Sequence, residues 1–303
     1  MKTFRAYLKE ENVVQTKRKG LQHFQKMKPV EFAQWAKSVL QDSSGVLSGI
    51  KSVLKVDGAN LKFGRDARGN IFIEGARTGP IFDDGAFSKY AQERGSDEII
   101  IARAKQYDDI LKAFKRGPFM RAIPNNTKID CEIFYNPMAE ETEEGLKFVT
   151  ISYDRNKIGS FMSILPYGAF VASTGETHPN EEEIISGLLD ESTDKVKIIN
   201  PRLQMGNIDI KAIIDPVKSL NDESIAILQS RKKADKPRKQ ELIAMLDHIK
   251  RELAEYLVFN PELCGLDKIC DPERGEGIVL HLPHGTFKIT TPEFQMAHHG
   301  STV

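Results

Sequence analysis

Apolar and polar positions alternate with a period of two between residues 51 and 81, as they do in half-buried β-strands. The apolar residues Val53 and Leu54 come first, and the alternating pattern follows at Leu61 and Phe63 and then at Ile71 and Ile73. Residues 64–70, which separate the two arms, contain two glycines and an asparagine, and these residue types suit a turn. The pattern therefore predicts strands that form a hairpin.

Other stretches show the three-to-four-residue spacing of amphipathic helices. In the segment 1–50, Pro29 suits a helix start, and apolar residues follow it at helical spacing, so this segment is predicted to be helical. Helices are also predicted over 86–116, and strands over 128–135 and 146–153. Strands and helices that do not alternate regularly predict an α+β fold with antiparallel sheets.

The region 166–270 is predicted to be mainly helical. Its predicted helices are Glu182–Leu189, Ser219–Gln229 and Lys239–Leu257. The longest has apolar residues along a single face, which indicates that this face packs against the rest of the protein. We interpret 166–270 as a helical insertion into a domain formed by 51–165 and 271–295, with 1–50 as a helical N-terminal segment.

Composition restricts the class of protein. The chain has 303 residues, 40% of them hydrophobic, and 43 basic side chains balance 43 acidic ones. The three cysteines, Cys131, Cys264 and Cys270, are too few for a disulfide framework. We see no signal peptide and no apolar run long enough to cross a membrane. A monomeric cytoplasmic protein is therefore expected.

The candidate chemistry begins at Lys55-Val56-Asp57-Gly58-Ala59-Asn60. A lysine, an acid and a glycine stand together where a predicted strand meets a turn. The neutral amine of a lysine held in this way can attack phosphorus or a carbonyl carbon, which is covalent catalysis. Taken alone the motif is weak, because Lys-x-Asp-Gly also occurs in ordinary surface turns.

Six segments in order give the motif more weight. They are Lys55–Asn60, Ala76–Ile81, Ile129–Phe134, Ile151–Asp154, Glu276–Leu280 and Phe287–Thr290. Together they resemble the motifs of the covalent nucleotidyltransferase superfamily, which contains ATP-dependent DNA ligases, RNA ligases and mRNA capping enzymes. The resemblance is strongest to the RNA ligases that seal nicks in duplexes, a group that includes phage and RNA-editing enzymes. A phage protein acting in the host cytoplasm is one setting that this resemblance implies.

The resemblance implies an adenylation domain of antiparallel sheets flanked by helices, with ATP as the AMP donor and Mg²⁺ or Mn²⁺ as the metal. A lysine would take AMP from ATP and pass it to the 5′-phosphate at a nick. A 3′-hydroxyl would then displace the AMP and close the strand. Nicked duplex RNA, DNA or hybrid is thus the implied partner. Such phosphoryl transfers depend mainly on positioning and on charge neutralisation.

The resemblance also assigns roles to individual residues. The implied catalytic residues are Lys55, Glu276 and Lys288; the nucleotide-binding residues are Asp57, Gly58, Asn60, Arg77, Glu132 and Tyr153; and the metal ligands are Glu132 and Glu276. Lys55 would be the nucleophile, and Tyr153 would stack on adenine. Each position also has an ordinary interpretation, since an aromatic on a strand is commonly part of the core and a strand-end acid is commonly solvated.

Three positions depart from the family pattern. Leu54 stands where the RNA ligases usually have a glutamate, and Thr290 stands where the last motif usually has a second lysine. Asn60 favours the RNA ligases over the DNA ligases, which usually have arginine there. Because 15 residues follow Lys288, we expect no C-terminal nucleic-acid-binding domain of the kind these enzymes carry.

Two basic segments are candidates for nucleic-acid binding. One contains Lys17, Arg18, Lys19, Lys26 and Lys28. The other contains Arg231, Lys232, Lys233, Lys236, Arg238 and Lys239, with a single acid among them. Either segment could contact a phosphate backbone or could be a solvated stretch of ordinary surface.

Two further functions stay open beside nick sealing. An enzyme that transfers AMP without sealing would agree with Thr290 and the short C-terminus. A catalytically inactive nucleic-acid-binding module would keep only the fold. The residues that argue against it are Lys55, Glu132, Glu276 and Lys288.

Overall fold

The computed structural model describes residues 22–48, 51–56, 58–75, 78–148, 151–204, 207–259, 269–271, 275–282 and 285–294. The chain forms two compact units. Unit 1 consists of Met1–Ile50, Gly206–Ala254 and Val279–Ile289, and unit 2 consists of Lys51–Met205, Glu255–Ile278 and Thr290–Val303.

Most strands are short. They are β1 (Gln22–His23), β2 (Val46–Leu47), β3 (Lys51–Lys55), β4 (Ala59–Arg65), β5 (Ile71–Gly75), β6 (Thr127–Tyr135), β7 (Glu140–Thr142), β8 (Gly145–Lys147), β9 (Ser152–Tyr153), β10 (Met162–Val171), β11 (Val196–Ile198), β12 (Arg202–Gln204), β13 (Ile208–Asp209), β14 (Gly277–Leu282) and β15 (Gly285–Thr290).

Helices are found in both units. The α-helices are α1 (Pro29–Ser43), α2 (Ala86–Glu93), α3 (Glu98–Arg116), α4 (Glu181–Asp190), α5 (Lys211–Ile214), α6 (Asp222–Gln229) and α7 (Lys236–Phe259). Short 3₁₀ turns occur at Phe24–Lys26, Pro118–Ala122, Asn136–Met138, Asp215–Ser219 and Lys233–Asp235. None of the described helices is both long enough and apolar enough to cross a membrane.

The main sheet of unit 2 has five strands in the order β11-β10-β6-β4-β5. Its pairs are antiparallel except for β10 with β11. The predicted hairpin is confirmed, because β4 and β5 pair with Phe63 opposite Ile73. The mixed architecture of antiparallel sheets and helices likewise confirms the coarse α+β prediction.

The two faces of the main sheet differ in polarity because successive side chains of a strand point to opposite sides. Ile129, Cys131 and Ile133 of β6 point to the apolar face, where α2, α3 and α4 contribute further core residues. Lys128, Asp130 and Glu132 alternate with these residues along the strand and belong to the other face. On that polar face Lys62 and Lys128 both pair with Glu74, at 3.2 and 3.5 Å.

The packing of unit 1 centres on aromatic rings. Phe24 contacts Phe32, Trp35 and Phe287 edge-to-face, with centroids 5.7–6.1 Å apart. Lys250 of α7 donates a hydrogen bond to the carbonyl of Met27 at 3.1 Å, so the long helix is held to the segment that precedes α1. Strand β1 pairs in parallel with β15.

The predicted helices of the region 166–270 are present as α4, α6 and α7, but the region also contains strands β11 to β13. The domain boundary drawn at residue 165 lies within β10. Sequence patterning missed this ten-residue strand because its buried residues form a nearly continuous run without the alternation of a half-exposed strand.

We predict that Phe114→Ala lowers the free energy of unfolding of unit 2 by about 3–5 kcal/mol. The Phe114 ring is fully buried and contacts Phe63 and Phe119, with centroids 4.5 and 5.3 Å away, so truncation leaves a cavity in the core. Denaturant titration measures the loss. Phe82→Ala is the control, because Phe82 is 36% exposed and its truncation should cost less than about 1 kcal/mol.

Candidate active site

Lys55 is the last residue of β3. The neighbouring Leu54 and Val56 are fully buried, so alternation directs the Lys55 side chain to the other side of the strand, where it is 25% exposed. Its Nζ lies 3.1 Å from Oε2 of Glu276 and donates to the carbonyl of Val56 at 2.8 Å. An amine and a carboxylate that are 221 positions apart in the chain thus meet in unit 2.

Glu276 lies immediately before β14 and is 4% exposed. Thr291 is fully buried, and two hydrogen bonds from it hold the backbone at Gly275 and Glu276. The Thr291 N–H donates to the Glu276 carbonyl at 3.0 Å, and the Thr291 hydroxyl donates to the Gly275 carbonyl at 2.6 Å. The carboxylate is therefore carried by a fixed segment of backbone.

Glu132 occupies the polar face of β6, directly opposite Asn60 of β4. Its Oε1 accepts the Gly58 N–H at 3.2 Å, and the Asn60 side chain forms a second hydrogen bond to it. A Cβ at position 58 would lie 2.8 Å from the Ile133 carbonyl oxygen and 2.9 Å from Glu132 Cγ. Glycine at position 58 therefore permits the close approach that the hydrogen bond requires.

These contacts define the Lys55 cluster, which consists of Lys55, Gly58, Asn60, Glu132 and Glu276. Burial raises the pKa of Glu132 to about 7. The Lys55 ammonium opposes this rise, and the negative charge of Glu276 adds to it. Glu132 and Glu276 therefore destabilise each other when both are ionised.

Tyr167 is a residue of this site that sequence reasoning missed. Burial raises its pKa well above 10, and the charges of Glu132 and Glu276 raise it further, which places the phenol near both carboxylates. Its hydroxyl oxygen is buried and has no hydrogen-bond partner among the described residues. The alternation along β10 was the available signal, but it is interrupted where the pairing with β6 shifts between Pro166 and Gly168.

The backbone of Tyr167 is fixed by Arg202 of β12. The Arg202 guanidinium donates to the Tyr167 carbonyl from Nε at 3.2 Å and from Nη2 at 3.0 Å. The same group pairs with Glu181 at 2.7 Å. This irregular position of β10 is therefore held from outside the sheet, and the phenol orientation follows from it.

Tyr153, which the resemblance assigns to adenine stacking, lies among aromatic side chains. It is 1% exposed on β9, and its ring packs against Phe134 and Phe148, with centroids 4.2 and 5.9 Å away. Both aromatic neighbours contribute apolar surface. In this arrangement Tyr153 is a core residue, which is the ordinary interpretation of an aromatic on a strand.

The remaining site predictions have separate locations. Asp57 and Arg77 lie outside the described residues. Lys288 lies on β15 in unit 1, between the buried residues Phe287 and Ile289 and opposite His23 of β1. The basic residues 231–239 form the 3₁₀ turn Lys233–Asp235 and the start of α7.

The residues present suit a hard divalent cation. No group of three or more His, Cys, Asp or Glu side chains among the described residues could hold a metal alone. Glu132 and Glu276 nevertheless supply carboxylate oxygens in a largely buried site beside Lys55. Mg²⁺ is commonly bound by one or two carboxylates together with substrate phosphates and water, and this pair meets that requirement.

No protein-family model matches the chain, and no curated protein sequence matches it. Two solved structures of an RNA ligase from Naegleria gruberi are similar to it: a lysine-to-alanine mutant with ATP and Mn, at TM-score 0.39, and the ligase with PPi, at TM-score 0.37. Identity is 11% in both, over 92% and 88% of this chain but only 57% and 56% of theirs. TM-scores this low do not establish a common fold.

We predict that the free energy of unfolding falls as the pH rises from 4.5 to about 7, and that Glu132→Gln removes this component. In that range the folded state binds a proton at Glu132 that the unfolded state has lost, since the folded pKa is about 7 and the ordinary value is 4.5. The effect should be of the order of 1–3 kcal/mol.

Denaturant titrations between pH 4 and 8, in the presence of a chelator, measure this effect. Glu183→Gln is the matched control because Glu183 is exposed on α4. Glutamine keeps an acceptor for the Gly58 N–H without the charge, so at pH 8 Glu132→Gln should be more stable than the wild type. An equal pH dependence in Glu132→Gln and the wild type would show that Glu132 is not the titrating group.

Proposed function

We propose that the protein is an ATP-dependent nucleotidyltransferase that carries AMP on Lys55. The observation that supports this most is the 3.1 Å contact between Lys55 Nζ and Glu276. The two residues come from the first and fifth of the six ordered motifs, and Glu132 of the third motif joins them in the Lys55 cluster. Three separate segments of sequence would have no structural reason to place an amine and two carboxyl groups together in a largely buried site.

In the proposed first step, the Lys55 ammonium releases one proton to solvent, and the resulting neutral amine attacks the α-phosphorus of ATP. A phosphorus–nitrogen bond forms, the bond from the α-phosphorus to the bridging oxygen breaks, and pyrophosphate leaves. The second proton lost from Lys55 can pass to the Glu276 carboxylate, which already accepts a hydrogen bond from that nitrogen. The Val56 carbonyl, 2.8 Å from the same nitrogen, restricts its orientation.

A divalent cation held by Glu132 and Glu276 would supply positive charge to offset that of the phosphates. The chain's own residues position the nucleotide. Asn60 and Gly58 hold the Glu132 carboxyl group in place. The Tyr167 hydroxyl is a buried donor that lacks an acceptor, and an oxygen or ring nitrogen of the nucleotide would satisfy it.

We further propose that the AMP is passed to the 5′-phosphate of a nicked duplex, which is then sealed. The order of the six motifs supports the nucleotidyltransferase chemistry, and Asn60 supports the RNA ligases over the DNA ligases. Transfer of AMP without sealing is the second candidate. It is favoured by Thr290, which is 4% exposed and provides no cation where the ligases usually have their second lysine.

The proposal predicts that α-phosphate-labelled ATP and Mg²⁺ leave acid-labile label on the denatured wild-type chain, whereas Lys55→Arg takes none. Arginine keeps a cation beside Glu276 and so separates the loss of the nucleophile from the loss of the ion pair. Glu276→Gln should slow labelling about 100-fold or more if the carboxylate accepts the proton. Denaturing electrophoresis after timed incubation measures the rate.

Lys89→Arg is the control for labelling, because Lys89 is an exposed lysine of α2. Equal labelling of Lys55→Arg and the wild type would refute the assignment of the nucleophile. Addition of a nicked duplex to the labelled protein then separates the two candidates. A sealed strand supports the ligase, and a strand that ends in AMP supports transfer alone.

A second prediction concerns Tyr167→Phe, which removes one oxygen and keeps the ring. The free protein should be as stable as the wild type or more stable by up to about 1 kcal/mol, because a buried hydroxyl without a partner is removed. ATP should bind about 3–10-fold more weakly, since one hydrogen bond is lost. Thermal unfolding and calorimetric titration measure these opposite changes, and unchanged ATP affinity would contradict the role of the phenol.

A further inference from the structure

Unit 1 contains a groove of about 550 Å³ that has no part in the chemistry above. The start of α1 forms one wall, with Lys28 and Glu31, and the end of α6 and the first turns of α7 form the other, with Gln229 and Lys239. We name it the α1–α7 groove. It brings together Lys28 and Lys239, one from each of the two basic segments of the sequence.

The chain between Gln229 and Lys239 borders this groove and is strongly basic. Arg231, Lys232, Lys233 and Lys236 are exposed, and none forms an ion pair with another described residue. Arg238 differs from them because it pairs with Glu241 at 2.7 Å. Four cationic side chains therefore face solvent on the segment that connects Gln229 to Lys239, two residues that line the groove.

The same connection is folded as a compact turn around Ser230. The Ser230 hydroxyl donates to Asp235, the acid of this segment, and also accepts the Lys232 N–H at 3.1 Å. Lys239 Nζ donates to the Ser230 carbonyl at 2.8 Å. The acid is thus engaged within the turn, and the basic side chains project from an ordered backbone, which reduces the entropy lost on binding.

The opposite wall adds positive charge. Lys26 and Lys28 are exposed and unpaired among the described residues, and the first turn of the 15-residue helix α1 places the positive end of its dipole at the groove. Glu31 opposes this charge, and its carboxylate accepts the Lys28 N–H at 3.4 Å. The net charge of the walls and rim remains positive, although the whole chain is neutral.

We propose that the α1–α7 groove binds the phosphate backbone of the nucleic-acid substrate. This inference rests on the proposed function for the identity of the partner. The chemistry supports backbone contact without base readout. Lys28 and Lys239 line the groove, the bordering segment adds Arg231 and further lysines, and no aromatic side chain on which a base could stack is among the lining residues. Binding should therefore depend strongly on salt and little on base sequence.

The test is the fluorescence anisotropy of a labelled nicked duplex at salt concentrations from 50 to 200 mM. The groove variant combines Arg231→Gln, Lys232→Gln and Lys233→Gln, and the control variant combines Arg68→Gln, Lys105→Gln and Arg116→Gln. The three control residues are exposed cations of unit 2, and two of them are on α3, which packs on the apolar face of the main sheet. Both variants lose the same charge.

For three phosphate contacts, the slope of log affinity against log salt should fall by about 2.7 in the groove variant. The ratio of the wild-type affinity to the affinity of the groove variant should therefore fall about 40-fold between 50 and 200 mM salt. Lys28→Gln, on the other wall, should lower the slope by about one. The control variant should bind as the wild type does.

Equal salt slopes for the groove and control variants would overturn the proposal. The proposal would also be overturned if polyglutamate of equal charge displaced the labelled duplex as effectively as the unlabelled duplex does. Fluorescence anisotropy measures binding without any AMP transfer, so either proposal can fail while the other holds. Duplex binding through the groove by a protein that takes no AMP would refute the proposed function alone. AMP on Lys55 with no loss of binding in the groove variant would refute the groove alone.

Discussion

The burial of two carboxyl groups beside one lysine ammonium is the constraint on which the candidate site depends. Ionised groups are costly to remove from water, and replacing a buried ion pair by apolar residues is commonly neutral or stabilising. Glu132 and Glu276, at 5% and 4% exposure, both lie near the ammonium of Lys55, and ionisation of both places two negative charges close together in a largely buried site. This arrangement does not favour folding, and its persistence is better explained by chemistry than by stability.

The main sheet can carry this unfavourable cluster because its other face is apolar. Strand β6 alternates core residues such as Ile129 and Ile133 with the polar residues Asp130 and Glu132, so one strand contributes to both faces. Helices α2, α3 and α4 bury the apolar face. The strands that hold Asn60 and Glu132 in register are thus fixed by packing on the side away from the site.

Local patterns made much of the fold predictable, whereas the site depended on residues distant in sequence. The hairpin of β4 and β5 and the helices α3 and α7 follow from periodicity. Strand β10 did not, because its buried run lacks alternation. Periodicity also cannot show that Lys55 meets Glu276, and only the order of the motifs suggested it. Tyr167 was missed because its position in β10 follows from an irregular pairing and from Arg202, neither of which local sequence specifies.

The unsatisfied features of the site are complementary to one kind of ligand. The Tyr167 hydroxyl has no acceptor among the described residues, and a nucleotide oxygen or nitrogen would provide one; the carboxyl groups of Glu132 and Glu276 are the oxygen ligands that a divalent metal prefers. A nucleotide alone would add negative charge beside these two carboxyl groups. A metal alone would leave the phenol without a partner. Nucleotide and metal should therefore bind with positive coupling, since each offsets what is unfavourable in the binding of the other.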